Sequence, residues 1–304
     1  MGRILILGKE GQIARALREL LPSQGIEVAA IGRPEIDLLA PQSAADAVLE
    51  FAPTLVILPA AYTAVDRAED DVEAAWIINA VAPGIVAKAA SDIGAPIVYF
   101  STDYVFDGGK GAPYAEEDAT APLSVYGSTK LAGEAAVARA NPRHVILRTA
   151  WVCSPTGSNF VKTILRLAAE RPSLRVVADQ QGAPTFAADI ARAVALISAR
   201  LHSNVPVGEE HWGLFHLAND GLTSWHGFAE AIIAGSAARG GQSVPVEAIT
   251  TGEYPTRARR PAYSKLSAAK IKRIYGVHMS AWEESLEVCL DTLLGVRATQ
   301  FSSR

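Results

Sequence analysis

The sequence predicts an α/β fold, a doubly wound parallel sheet with a smaller C-terminal lobe, and three observations carry that reading. Short apolar runs alternate with segments of helical period through the first half of the chain, the rhythm of a parallel sheet covered by helices on both faces. The first run, Ile4–Leu7, passes through Gly8-Lys9-Glu10-Gly11 straight into a helical pattern that continues to Leu21. A later run, Pro96–Phe100, delivers Ser101-Thr102-Asp103-Tyr104-Val105-Phe106-Asp107-Gly108 to its carboxyl end, the edge at which open α/β sheets bind ligands.

The 304 residues suffice for one large unit and a smaller lobe. A formal net charge of −4 gives no basis for nucleic acid or an anionic membrane as partner. Cys153 and Cys289 are too few and too scattered for a disulfide framework or a zinc site, and they suit a reducing cytoplasm. The opening apolar stretch is too short for a secretory segment, and no stretch reads as a membrane span. The expectation is a cytoplasmic protein, monomer or homodimer, with no membrane partner and no metal.

Taken in order, Gly8 and Gly11 let the backbone approach a pyrophosphate, Gln12 and Ile13 open the helix whose N-terminus attracts phosphate, and Ala14 permits close helix–strand packing. Glu27–Ile31 is the second strand. It ends in Gly32-Arg33 with no acid for an adenosine ribose, so Arg33 suits a 2′-phosphate and favours NADP. Asp37-Leu38 follows, where a loop acid meets the adenine. Gln42–Phe51 is helical and Leu55–Leu58 is the third strand. Next, Ala60, Ala61 and Tyr62 lie against the cofactor while the loop runs on through Val65 to the substrate side. Glu73–Ile93 is a long helix carrying Asn79, whose amide either braces the following strand end or lies on the helix surface.

Tyr126 opens another helix and Lys130 lies four residues on, so the two share a face. Thr102, Tyr126 and Lys130 at a strand end are a carbonyl-reduction apparatus. Thr102 bonds the substrate oxygen and Tyr126 protonates it. Lys130, a nearby cation, lowers the phenol from its ordinary value of about 10. His144–Arg148 is a further strand; Trp151 beyond it either stacks on a flat ring or packs the lobe interface.

Past Trp151 the rhythm changes. Asn159-Phe160 leads into the helix Val161–Glu170, Val176–Thr185 is an extended loop, and Ala187–Leu201 is a helix returning to the sheet. Asn204–Glu210 is a connector, and Thr223–Arg239 and Glu283–Leu294 are helices. Arg257, Arg259 and Arg260 beside prolines suit a phosphate-bearing substrate. The expected division is a dinucleotide-binding domain at 1–150, to which 186–218 returns, a substrate-binding lobe from 151–185 and 219–298, and a frayed tail at 299–304.

These blocks, with Arg148-Thr149-x-Trp151, Asp179-Gln180-x-Gly182-x-Pro184-Thr185 and Tyr254-Pro255-Thr256, resemble the extended short-chain dehydrogenase/reductases, and within them the dTDP-4-dehydrorhamnose reductase group. The resemblance implies a Rossmann-like fold and NADPH- or NADH-dependent reduction of the 4-keto group of dTDP-4-dehydro-β-L-rhamnose to dTDP-L-rhamnose. It implies Thr102, Tyr126 and Lys130 as the catalytic set, with Tyr126 and Lys130 also meeting the cofactor. It implies Val65, Asp103, Tyr104 and Trp151 around the sugar, and Asn159 and Arg260 toward the nucleotide diphosphate. Two alternatives stand: a reductase of another 4-keto-6-deoxy sugar nucleotide, and a non-catalytic dinucleotide-binding regulatory subunit like that of methionine adenosyltransferase. Leu58-Pro59 departs from the Asn-Ala usual in relatives. Ala16 stands where magnesium-bridged dimers of the group carry a glutamate, which argues against a metal.

Overall fold

A computed structural model describes residues 2–203 and 205–295; the tail expected at 299–304 lies outside the described residues. The strands are β1 (Arg3–Leu7), β2 (Glu27–Ile31), β3 (Leu55–Leu58), β4 (Ile97–Thr102), β5 (His144–Thr149), β6 (Val152–Cys153), β7 (Leu174–Val177), β8 (Gln181–Gly182), β9 (Thr185–Phe186), β10 (Gly213–His216), β11 (Thr223–Ser224) and β12 (Val246–Ile249). The helices are α1 (Gln12–Leu20), α2 (Gln42–Phe51), α3 (Val65–Ala68), α4 (Val72–Trp76), α5 (Ala82–Asp92), α6 (Val125–Ala140), α7 (Phe160–Glu170), α8 (Ala187–Leu201), α9 (Trp225–Ala237), α10 (Ala269–Tyr275) and α11 (Trp282–Leu294). Six strands form one sheet in the order β10-β5-β4-β3-β1-β2, every pairing parallel. The doubly wound expectation is met.

Alternation along β1 explains the two covered faces. Ile4 and Ile6 meet Leu17 of α1, Ile190 and Val194 of α8 and Ile271 of α10. Leu5 and Leu7 point the other way, onto Val48 of α2 and Val86 and Ala90 of α5. A separate core joins Val161 and Ile164 of α7, Phe228 and Ile232 of α9, and Leu286 and Leu290 of α11. That core is the C-terminal lobe. It lies beyond the carboxyl end of β5, reached through Ala150 and Trp151.

Several expectations change. The stretch Val176–Thr185 carries the second half of β7 and all of β8, and β9 begins at its end, so it is not a plain loop; the segment read as one helix from Thr223 begins as the short strand β11. The strands β10 and β12 and the helix α10 were not anticipated. Within 219–298, expected to lie in the lobe, α10 packs instead on the sheet side, through Ile271. The continuous helical run Val72–Asp92, 21 residues holding an 18-residue window of mean hydropathy 1.3, does reach the length and composition of a membrane span. Half of that window is buried in the protein, which marks an alanine-rich core helix packed on the sheet.

Candidate active site

At the end of β1 the chain turns at Gly8, whose φ of +116° favours glycine and whose missing Cβ admits the Cβ of Ala60, 2.8 Å from where its own would stand. Gly11 is the N-cap of α1 with no side-chain cap, and a Cβ there would meet nothing within 4 Å. First-turn N–H groups beside open space are a cradle for an anion. Gln12 leaves this turn toward the lobe: its Oε1 accepts from Asn159 Nδ2 at 2.8 Å and Ser154 Oγ at 2.9 Å, and its Nε2 donates to Val152 O at 3.2 Å. Ile13 packs partly buried against the sheet core. Arg33 is exposed and, among the described residues, has no ion-pair partner, whereas neighbouring Glu35 pairs with Lys9 at 2.7 Å. Asp37 Oδ1 accepts from Leu39 N at 3.0 Å, shaping the loop that buries Leu38.

After β3, Ala60, Ala61 and Tyr62 form a loop held from below by Asn79. This amide is fully buried in a π-helical turn, Ile77–Val81, that joins α4 to α5. Its Oδ1 accepts from Tyr62 N at 2.8 Å, and its Nδ2 donates to Tyr62 O at 3.1 Å and Thr129 Oγ1 at 3.2 Å. The brace acts on the preceding strand's loop, not the following strand's end. Val65 starts α3. Asp66, one residue on, accepts from Arg260 Nη2 at 2.8 Å and from Ala258 N at 3.1 Å. Arg260 therefore answers a carboxylate and lies beside Tyr104, while Asn159 answers the glycine turn. Their partners lie on different loops.

Thr102 closes β4, buried, donating to Asp103 Oδ1 at 3.0 Å and accepting from Tyr104 N at 3.2 Å. Ser124 caps α6 by accepting from Gly127 N at 3.2 Å, and Glu69 Oε1 accepts from Val125 N at 2.9 Å. These contacts fix Tyr126 in the first turn of α6, its ring edge-on to Tyr104 with centroids 5.5 Å apart. Burial pushes the Tyr126 phenol upward, and the hydrogen bond from the Thr102 side opposes it without prevailing. This corrects the expectation that Lys130 lowers it. The Lys130 ammonium is turned onto β4, donating to Tyr99 Oη at 2.7 Å and Phe100 O at 2.6 Å. Burial lowers Lys130 to about 7, with Glu134 pulling the other way.

Asp103 is buried and its Oδ2 has no hydrogen-bond partner; burial raises its carboxyl to about 6. Trp151 adopts a left-handed backbone, φ +47°, and its indole stacks on Trp225 at 3.5 Å. The Trp151 ring thus packs on another tryptophan and against both the lobe core and the cluster of Val105, Phe106 and Tyr114. Tyr99, Glu69, Asp66, Glu134 and Arg148 were missed in the sequence. One signal was present: Arg148 is a charge directly after the apolar run of Val145, Ile146 and Leu147 in β5. Among the described residues no group of three or more His, Cys, Asp or Glu side chains gathers as a metal site.

A parallel doubly wound sheet, a glycine turn at its first strand and a Thr-Tyr-Lys set at the end of its fourth define an NAD(P)H-dependent oxidoreductase of the short-chain dehydrogenase/reductase type. Sequence comparison narrows this. Residues 2–294 match the family described as RmlD substrate binding domain, and the chain belongs to that family. A dTDP-4-dehydrorhamnose reductase of Sinorhizobium fredii is 45% identical over 283 residues, covering 93% of this chain and 95% of its own. A crystal structure of a dTDP-4-dehydrorhamnose reductase from Clostridium acetobutylicum superposes with a TM-score of 0.89 at 37% identity, covering 96% of this chain and 99% of the other. That of Bacillus anthracis, in complex with NADP, gives 0.87 at 35% over the same shares.

Proposed function

We propose that this chain reduces the 4-keto group of dTDP-4-dehydro-β-L-rhamnose to dTDP-L-rhamnose. The observation that carries the reading is the placement of the Thr102 hydroxyl, the Tyr126 phenol and the Lys130 ammonium around the end of β4, in a chain that aligns end to end with reductases of that name. The cofactor fits: Gly8, Gly11, Gln12 and Ile13 would hold its pyrophosphate at the uncapped start of α1, and Arg33 a 2′-phosphate. The Ala60–Tyr62 loop would lie alongside it. When bound, NADPH or NADH supplies the hydride.

The protein's own residues handle the proton. A phenol held high by burial is protonated at neutral pH, the form that a reduction needs, and Tyr126 gives that proton to the 4-oxygen as the hydride arrives. Thr102 donates a hydrogen bond to the same oxygen and so orients it. Lys130, within the same turn of helix, favours the phenolate that Tyr126 becomes. Asp103, Tyr104, Val65 and Trp151 would border the sugar, with Asn159 and Arg260 nearer the diphosphate. Work on a nucleotide sugar with NAD(P)H belongs in the cytoplasm, where the free thiols of Cys153 and Cys289 persist.

The test is loss of NADPH absorbance on adding dTDP-4-dehydrorhamnose made in situ, with the product identified by chromatography. Oxidation with dTDP-L-rhamnose as product supports the reading. Oxidation giving another sugar redirects it to a different 4-keto-6-deoxy sugar nucleotide. No oxidation by protein that still binds NADPH moves it to a non-catalytic binding role.

A further inference from the structure

The reduction apparatus described above leaves a buried ion pair unused. Glu134 lies one helical turn beyond Lys130 and two beyond Tyr126, so all three share one face of α6. Its carboxylate accepts from Arg148 Nε at 2.8 Å and Nη2 at 2.7 Å, and from Ser101 Oγ at 2.5 Å. Glu134 and Arg148 are 7% and 3% exposed. Arg148 rises from β5 with its guanidinium 5.0 Å from the ring centroid of Phe106, and its Nη1 has no partner. Both remaining donor arms are thus committed to one carboxylate.

The surroundings form a ladder between α6 and the carboxyl end of β4. Lys130 grips Tyr99 and Phe100; Glu134 grips Ser101, the next residue along. Tyr99 Oη, which accepts from Lys130, donates onward to the carbonyl of Asn79 at 3.0 Å, so neither hydroxyl nor carbonyl supplies Lys130 with a negative charge. The titratable groups facing Lys130 are Tyr126 and Glu134 on its own helix and Tyr99 on β4, with Arg148 on β5 behind Glu134 and Asp103 beyond Tyr126. Of these, Glu134 is the carboxylate one turn from Lys130 on the same face of α6. Ion pairs of this depth add little to stability over an apolar replacement, so the geometry invites a role in the site.

We propose that Glu134, clamped by Arg148 and Ser101, is the positioning residue that holds Lys130 against the β4 terminus and opposes the loss of its charge on burial. It touches neither substrate nor cofactor and works through Lys130. The inference rests on Lys130 belonging to the reduction apparatus, but its primary readout needs no turnover.

That readout is the titration of Lys130 in the whole, ligand-free chain carrying lysine labelled with carbon-13 at Cε, the resonance assigned by its loss in Lys130→Met. Glu134→Gln, close to Glu134 in volume, is expected to lower the Lys130 midpoint by about one pH unit or more. Glu134→Asp, the milder change should Glu134→Gln not fold, keeps the charge one methylene further back and lowers it by about half as much. In the NADPH assay the alkaline limb of kcat moves to lower pH in step, so Glu134→Gln recovers activity on acidification. A folded variant whose Lys130 midpoint stays at the wild-type value overturns the proposal. So does a kcat in Glu134→Gln reduced by one constant factor at every pH, the mark of a merely structural role. Wild-type protein that fails to oxidise NADPH would instead overturn the proposed reaction and leave the titration standing.

Discussion

Asp103 is the least comfortable residue in the site. A carboxylate there is buried, and one oxygen lacks any donor. Its carboxyl stands at about 6 where the ordinary value is 3.8, so the folded chain keeps this proton longer than the unfolded chain does. Stability contributed by this group is therefore lost as pH rises from about 4 to about 6 and stays lost above that. Asp103→Asn keeps the acceptor for Thr102 and removes the penalty. Urea unfolding of the ligand-free protein should show the variant more stable at pH 7.5, by on the order of 3 kcal/mol at most, and equal to wild type near pH 3.5. Tyr126→Phe removes the proton donor and little volume; kcat should fall roughly 10²- to 10⁴-fold while NADPH affinity, measured by fluorescence titration, holds. At the far end of the cofactor cradle, Arg33 is exposed beside the end of β2. Arg33→Ala should weaken NADPH roughly tenfold and leave NADH nearly unchanged. An equal effect on both cofactors in calorimetry would remove the 2′-phosphate contact.

At the scale of elements, α6 carries the chemistry and its fit is exacting. Gly133 faces the π-helical turn: a Cβ there would stand 2.0 Å from Asn79 O and 2.5 Å from Tyr99 Oη. Gly133→Ala must push the helix off the very groups that brace the Tyr62 loop and hold Lys130. It should cost at least about 2 kcal/mol in thermal unfolding and lower turnover as well. The elements legible in the sequence are those with an unbroken pattern. The apolar runs of β1 and β3, buried nearly throughout, and the long amphipathic α8 were read directly. Those missed have weak patterns for physical reasons. Only Phe215 and His216 are buried in β10, because it is the sheet's edge, and β12 buries Ile249 alone. In α10 the only fully buried residue is Ile271. The π-helical turn left no pattern, since one extra residue per turn shifts the helical phase without changing composition.

Across the whole molecule, the site is closed by contacts that no local pattern announces. Asp66 meets Arg260 and Asp70 meets Arg257 across separations of 194 and 187 residues, and Gln12 meets Asn159 across 147. Gln12, Asn159, Arg257 and Arg260 were visible as site residues, and so was the triad at β4; Asp66, Asp70 and the pairings were not, because spacing along the chain says nothing about which loops face each other. The same long-range design shapes how the protein is made. Strands β1 to β5 are complete by Thr149, but Ile190, Val194 and Ile197, which cover the sheet on the side of α1, arrive only with α8, and β10 pairs with β5 later still. At roughly 5–20 residues per second of synthesis, the growing chain waits several seconds with Val98, Phe100, Val145 and Leu147 uncovered and the edge of β5 unpaired. During that interval it is a sticky half-sheet on the ribosome, a natural client for a chaperone that binds extended apolar strands.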